Sequence, residues 1–271
     1  MAHAAWAAVP IADKSTYTIF NRTPEAQLRE LSTDRPDITE SPYTVDAGWF
    51  QIESDFLAYS RSHDTANGAD VKASALSVAA LNFKFGLTSN MDLQTVVEPY
   101  VRLKADDKKS GQHARIAGFG DITSRLKINF WGNDGGDSAL GLMPFVTWPT
   151  SHRGLGTDSV EGGLIIPYAH KLPAGWDVGL MTEVDLVRSD DDDGYTQEWT
   201  NSITFGHDIA YGFGGYMELA STVGPGAGQL SFDFGATYGV GEHGQLDVGC
   251  NVGLTRATDD LTIFAGWSVR F

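Results

Sequence analysis

The sequence predicts an all-β fold: a closed antiparallel up-and-down transmembrane β-barrel of about twelve strands, preceded by a non-barrel segment. Three observations carry that expectation. From Trp49 to the last residue, apolar and polar residues alternate in one segment after another, the period of strands with one greasy face. The connections between those segments alternate between short and long, as short periplasmic turns and longer external loops would. The final stretch, L-T-I-F-A-G-W-S-V-R-F, sets Leu261, Ile263, Ala265, Trp267, Val269 and Phe271 on one face and ends on an aromatic residue.

Bulk composition does not oppose this. Hydrophobic residues make up 42% of the chain and the mean hydropathy is -0.18. No apolar run approaches the roughly 18 residues of a spanning helix. A barrel leaves no such run, because lipid-facing and lumen-facing residues alternate and average out. The 31 glycines and 11% aromatics suit strands and turns more than helices. A net charge of -16 argues against a nucleic-acid partner, since no basic surface is available to replace phosphate counterions. The single cysteine, Cys250, excludes an internal disulfide and a cysteine metal site; among Leu246, Val248, Val252 and Leu254 it reads as a small apolar residue.

Two regions follow, an N-terminal segment over 1–47 and a barrel over 48–271. The opening M-A-H-A-A-W-A-A carries the small-residue spacings Ala2-His3-Ala4 and Ala5-Trp6-Ala7 found at the end of a secretory signal, and is expected to be a signal remnant or else disordered. Pro24 followed by E-A-Q-L-R-E-L predicts a short helix to about Leu31. Residues 32–48, rich in Pro and Asp, should be extended or turn-like.

The strand segments are expected near residues 49–59, 73–87, 91–104, 122–130, 138–148, 159–170, 175–188, 195–206, 209–221, 228–240, 244–255 and 261–271. Short turns fall at 88–90, 132–137, 171–174, 206–208 and 241–243, and the longer loops at 62–70, 105–118, 149–158, 189–194 and 222–227. Residues interleaved with the apolar stripes include Glu53, Asp55, Asp92, Glu98, Arg102, Arg125, Lys127, Asp177, Glu183 and Asp185. These charges would be costly in a dry sandwich core, so they are expected to line a hydrated lumen, chiefly as structural ion pairs.

The segment S-T-D-R-P-D-I-T-E-S-P-Y-T-V-D-A-G-W-F-Q-I-E, from Ser32 onward, resembles the opening signature of the MetA-pathway of phenol degradation family of outer-membrane transporters. Thr33, Asp34, Arg35, Pro36, Asp37, Thr39, Glu40, Ser41, Pro42, Tyr43, Gly48, Gln51 and Glu53 match it. G-F-G-D-I-T-S-R-L-K from Gly118, M-P-F-V-T-W-P-T from Met143 and W-T-N-S from Trp199 also fit. The resemblance implies a small outer-membrane barrel related to fatty-acid and aromatic-hydrocarbon channels; the family's name is not a substrate. The C-terminal strand resembles those that the barrel-assembly machinery reads, and membrane lipid and lipopolysaccharide are the other expected partners.

Asp34, Arg35, Asp37 and Glu40 have no apolar face to bury, so their segment is expected to dock at or inside the periplasmic mouth by charge-assisted hydrogen bonds. The acidic loop 190–193 fails the spacing of a calcium-binding loop and reads as solvated. His63, His113 and His152 lie in long loops with no metal-ligand spacing. No metal or cofactor is expected. The expected function is passage of small hydrophobic or aromatic compounds. Alternatives are a non-conducting barrel closed by its salt bridges and, more remotely, a lipid hydrolase, for which no G-x-S-x-G or other catalytic constellation is visible.

Overall fold

The computed structural model describes residues 13–271 except 153 and 190–192. The expectation over residues 1–8 and most of the acidic loop therefore lie outside the described residues. The strands are β1 (Phe50–Asp64), β2 (Val71–Val78), β3 (Leu81–Thr88), β4 (Met91–Val97), β5 (Tyr100–Asp107), β6 (His113–Gly118), β7 (Ile122–Trp131) and β8 (Ser138–Trp148). They continue as β9 (Glu161–Lys171), β10 (Trp176–Arg188), β11 (Tyr195–Ala210), β12 (Phe213–Val223), β13 (Gln229–Val240), β14 (Gly244–Gly253) and β15 (Leu261–Arg270).

All neighbouring pairs are antiparallel, and β15 returns to pair with β1, Gln51 opposite Arg270. A closed barrel of twelve strands results. The fifteen segments reduce to twelve because three spans are each broken in two: β2/β3 at Ala79–Ala80, β4/β5 at Glu98–Pro99 and β6/β7 at Phe119–Asp121. The lower half of β1 pairs with β3 and its upper half with β2, so β1, β2, β5 and β6 form an upper panel over the closed ring. The free edge of β6 is met by the loop 149–160: His152 donates its amide to the Phe119 carbonyl (2.8 Å), and Thr150, Ser151 and Thr157 donate theirs to Asp121.

Closure satisfies the backbone where lipid offers no hydrogen bonds. The outer face carries an apolar belt in which Phe83, Leu93, Leu180, Leu219, Phe232, Phe234 and Ile263 are all exposed. Aromatic residues gather at its lower rim, among them Phe50, Phe130, Trp131, Trp176, Tyr211 and Phe213. Inside, the buried apolar cluster is small: Met143, Ile165 and Met181, with Phe145 against them. The middle and lower interior is otherwise largely ionic and hydrogen-bonded.

The loop expected at 105–118 is largely strand, β5 reaching Asp107 and β6 covering His113–Gly118, so His113, like His63 in β1, sits on a strand. Three further local expectations are corrected. The helix expected after Pro24 is only a 3-10 turn, Glu25–Gln27, after which Leu28 is already extended; Arg29 points inward to ion pairs that a helix would pull away. The hairpin expected at 206–208 lies at Tyr211–Gly212, with β11 continuing to Ala210. Gly206-His207-Asp208 has turn-like composition, yet the positive φ values of a two-residue hairpin fall on Tyr211 (54°) and Gly212 (83°). The third concerns β5. Alternation continued from Met91 to Lys104 puts Arg102 in the lumen, but the register places Arg102 opposite Leu76, Leu76 opposite Tyr59 and Tyr59 opposite Ile263 on the outer face. Pro99 cannot donate to a ladder, the strand breaks there, and the side-chain alternation restarts on the other parity.

Candidate functional site: a lumen filled by the N-terminal segment

The site is the barrel interior together with the segment that threads it. Entry is fixed beside Trp49, whose indole donates to the Thr23 carbonyl (2.8 Å) beneath the Arg22 guanidinium, 3.5 Å above the ring. Gly86 allows the approach: a Cβ there would lie 2.0 Å from the Asp46 carbonyl oxygen. Lys14 and Arg29 then clasp Asp134 in the β7–β8 turn at 2.8 Å each, and Arg270 donates to the Arg29 carbonyl (2.8 Å). Burial pushes the Asp134 carboxyl up, but hydrogen bonds from Arg29 and Lys14 outweigh it and hold the group below its ordinary range.

Deeper in, Asp34 sits between two buried ammonium groups, Lys127 (2.5 Å) and Lys84, and Lys84 is shared with Glu53. Arg35 lies over Gly266 of β15 on one side of the lumen, bridging Asp55 on β1 (2.6 Å) and Asp247 on β14 (2.6 Å). Glu40 pairs with Arg125 on β7 (2.6 Å). Asp37 has no ion pair among the described residues; its neighbours Ile38 and Thr39 donate their amides to Glu218 on β12 (2.8 Å each), and the Thr39 hydroxyl reaches the same carboxylate. Asp92, fully buried, accepts from the Val45 amide (2.9 Å) and the Gln94 side chain (3.0 Å).

The segment therefore touches β1, β3, β4, β7, β12 and β14, most of the way around the wall. Its charges are desolvated, and for Asp34, Arg35 and Glu40 an opposite charge in contact offsets that cost, whereas Asp37 has no such partner among the described residues. Asp177, Glu183 and Asp185 line the inner face of β10: Asp177 borders the cavity below the segment, and Glu183 and Asp185 lie higher, the Glu183 charge bearing on Arg125. Glu98 lies at the β4/β5 break, where its carboxylate packs against Gly120. Arg102 alone of the ten expected lumen residues faces outward. Composition gave no sign of the receptors Lys84, Glu218 and Asp247; their inward parity within short segments was the one available signal.

Above the segment the wall changes character. The inner positions of the upper panel are Ala58, Ser60 and Ser62 on β1, Ala73, Ala75 and Ser77 on β2, Val101, Leu103 and Ala105 on β5, and Ala114 and Ile116 on β6. A cavity of about 500 Å³ lies against them. A second of about 390 Å³, walled by Thr200, Thr222, Ser231 and Asn251, has Ile38 of the threading segment among its lining residues. Below the segment a cavity of about 590 Å³ is bounded by Arg29, Asp134, Asp177 and Arg270.

The sequence pattern of the family described as MetA-pathway of phenol degradation matches residues 33–271. The chain belongs to that family. In fold it is similar to an outer membrane channel from Pseudomonas putida F1, at 15% identity and a TM-score of 0.61, covering 89% of this chain and 100% of that one. It is also similar to the translocator domain of the autotransporter NalP from Neisseria meningitidis, at 10% identity and a TM-score of 0.52, covering 82% and 88%. No curated protein matches the sequence. The family member is an outer-membrane β-barrel, as its closed ladder, apolar belt and charged interior require.

Proposed function

We propose that this family member is a passive channel for small apolar or aromatic solutes, entering from the external side through the upper panel. The observation that carries the reading is that panel's inner face, uncharged from Ala58 to Ser62 and across its partners in β2, β5 and β6, in contrast to the ionic middle of the lumen where the segment docks. An apolar solute loses little on leaving a nonpolar phase for such a wall, whereas a sugar finds few groups there to replace its water. The threading segment beneath it blocks free diffusion, so passage requires that segment to shift. Chemistry on the solute is not part of the reading: Ser62 faces the lumen, whereas its neighbour His63 faces outward to Asp70 (2.8 Å), so this pair does not assemble.

The test is uptake of a radiolabelled monoaromatic compound and of a pentose by outer-membrane-intact cells with and without the protein. The aromatic compound alone should enter faster with it, and Ala75→Asp with Ala105→Asp should abolish the gain. Faster pentose uptake with no aromatic effect would overturn the reading. No effect on either solute would favour a closed structural barrel.

A further inference from the structure

The outer face of the upper panel carries the opposite chemistry from its inner face. Its register forms successive rows across the four strands. The lowest, Leu57–Val78–Tyr100, is apolar and aromatic. Tyr59–Leu76–Arg102–Ala117 follows, and then Arg61–Ser74–Lys104–Arg115. The top row, His63–Lys72–Asp106–His113, completes the panel. Successive rows are two residues apart, about 7 Å along the strand. The surface thus turns from lipid-compatible to cationic within about one headgroup's depth, on the side of the long loops.

Arg61, Lys72, Arg102, Lys104 and Arg115 are five of the 19 basic residues of a chain whose net charge is -16. None of the five makes an ion pair among the described residues. Of the nearby acids, Asp70 contacts His63 (2.8 Å), and Asp106 contacts His113 (2.6 Å) and Lys108 (3.9 Å) while feeling the Lys104 charge only at a distance. Elsewhere on the outer face of the barrel a cation does meet a carboxylate: Arg188 on β10 contacts Asp193 (3.0 Å). Cations with no ion pair, set above Tyr59, Leu76, Leu57 and Tyr100 on the same face, have their complement in the membrane itself.

We propose that this patch binds the phosphates of lipid A in the outer leaflet. The guanidinium groups of Arg61, Arg102 and Arg115 suit bidentate phosphate contacts, and Lys72 and Lys104 add point charges between them. Tyr59, Tyr100 and Leu57 below them meet the first acyl carbons. Adjacent Arg61 and Lys104 columns are separated by the β2 strand, so one patch takes both phosphates of one headgroup rather than a single anion.

The test uses the full-length barrel in detergent and native mass spectrometry with bis-phosphorylated lipid A or its dephosphorylated form. Wild type should bind the phosphorylated form preferentially, and added salt should weaken that binding. Arg61→Ser with Lys104→Ser and Arg115→Ser should weaken it about a hundredfold, about fivefold per cation removed. Arg188→Ser should leave it unchanged. Heat-modifiable gel mobility reports folding; should the triple variant not fold, the Lys104→Ser and Arg115→Ser single variants decide the matter by their expected fivefold losses. Equal binding of dephosphorylated lipid A, a change within about twofold in the cation variants, or an equal loss in Arg188→Ser would each overturn the proposal.

Discussion

At the scale of single residues, the segment is held by charges that each satisfy more than one partner. Asp34 is the extreme case, a buried carboxylate between Lys84 and Lys127. In Asp34→Ala, Lys127 loses its ion-pair partner and Lys84 keeps only Glu53, a change of the kind that costs about 3–5 kcal/mol when one side of a buried pair is removed. The barrel ladder does not involve this side chain. Limited proteolysis should therefore cut the 24–44 region rapidly in the variant while the barrel stays protected; unchanged resistance would show that the other contacts suffice.

Asp134 gives the pH dependence of the lower clasp. Its pKa is held below the ordinary 3.8 by Arg29 and Lys14 against the opposing effect of burial. A depressed carboxylate contributes stability above its unfolded value, and that contribution is lost as pH falls through the folded value. Hydrogen exchange across 13–31, corrected for intrinsic rates, should show loosening on acidification below about pH 4 and little change from pH 5 to 8. Asp134→Asn should loosen the segment at neutral pH and abolish the acid-dependent step.

At the scale of elements, the two faces of a strand should respond differently to charge. Leu180 lies on the outer belt of β10 and Glu183 on its inner face. Leu180→Arg should destabilise the barrel by about 2–4 kcal/mol if it lies near the bilayer midplane, whereas Glu183→Gln should fold normally. Urea titration of both variants in lipid vesicles tests this, and the reverse ranking would mean that the faces are exchanged.

The long uninterrupted strands, such as β10, β13 and β15, were legible because a single parity runs from end to end. The broken spans were not. Val101 and Leu103 look lipid-facing when read on from Met91 and Leu93, yet they form the inner wall, while Arg102 and Lys104 face outward. Each of the three neighbouring breaks shifts the parity, at Ala79–Ala80, Glu98–Pro99 and Phe119–Asp121, so together they turn one whole panel over without breaking its pairing. Pro99 was the one visible warning. The positive φ of Ala79 (57°) had none, since alanine carries no preference for that conformation. The anionic N-terminal motif was legible as a group in need of cations, but which strands supply them depends on register, and no local sequence pattern encodes that.

At the scale of the whole molecule, the barrel and its threading segment are separable in their energetics. The ring closes through backbone hydrogen bonds among strands alone, from β1 round to β15. Removing residues 1–44 deletes partners of Lys84, Lys127, Arg125, Asp247 and Glu218, but it also admits water to those groups, so their charges become solvated rather than stranded. The truncated chain should therefore still fold as a barrel, judged by heat-modifiable mobility. Its conductance in planar bilayers should rise, because the segment that reaches from Lys84 and Lys127 on one side of the wall to Glu218 on another is gone. Charge predicts the selectivity of that opened pore. Its inner face keeps Asp177, Glu183, Asp185, Glu218, Asp233 and Asp247 against Lys84, Arg125, Lys127 and Arg270, and a narrow low-dielectric wall focuses such an excess on the path. Under a salt gradient the reversal potential should report cation preference, and the preference should shrink as ionic strength rises. A conductance equal to that of the full-length protein would show that the segment does not limit passage, and anion preference would show that the solvated acids do not set the potential along the pore.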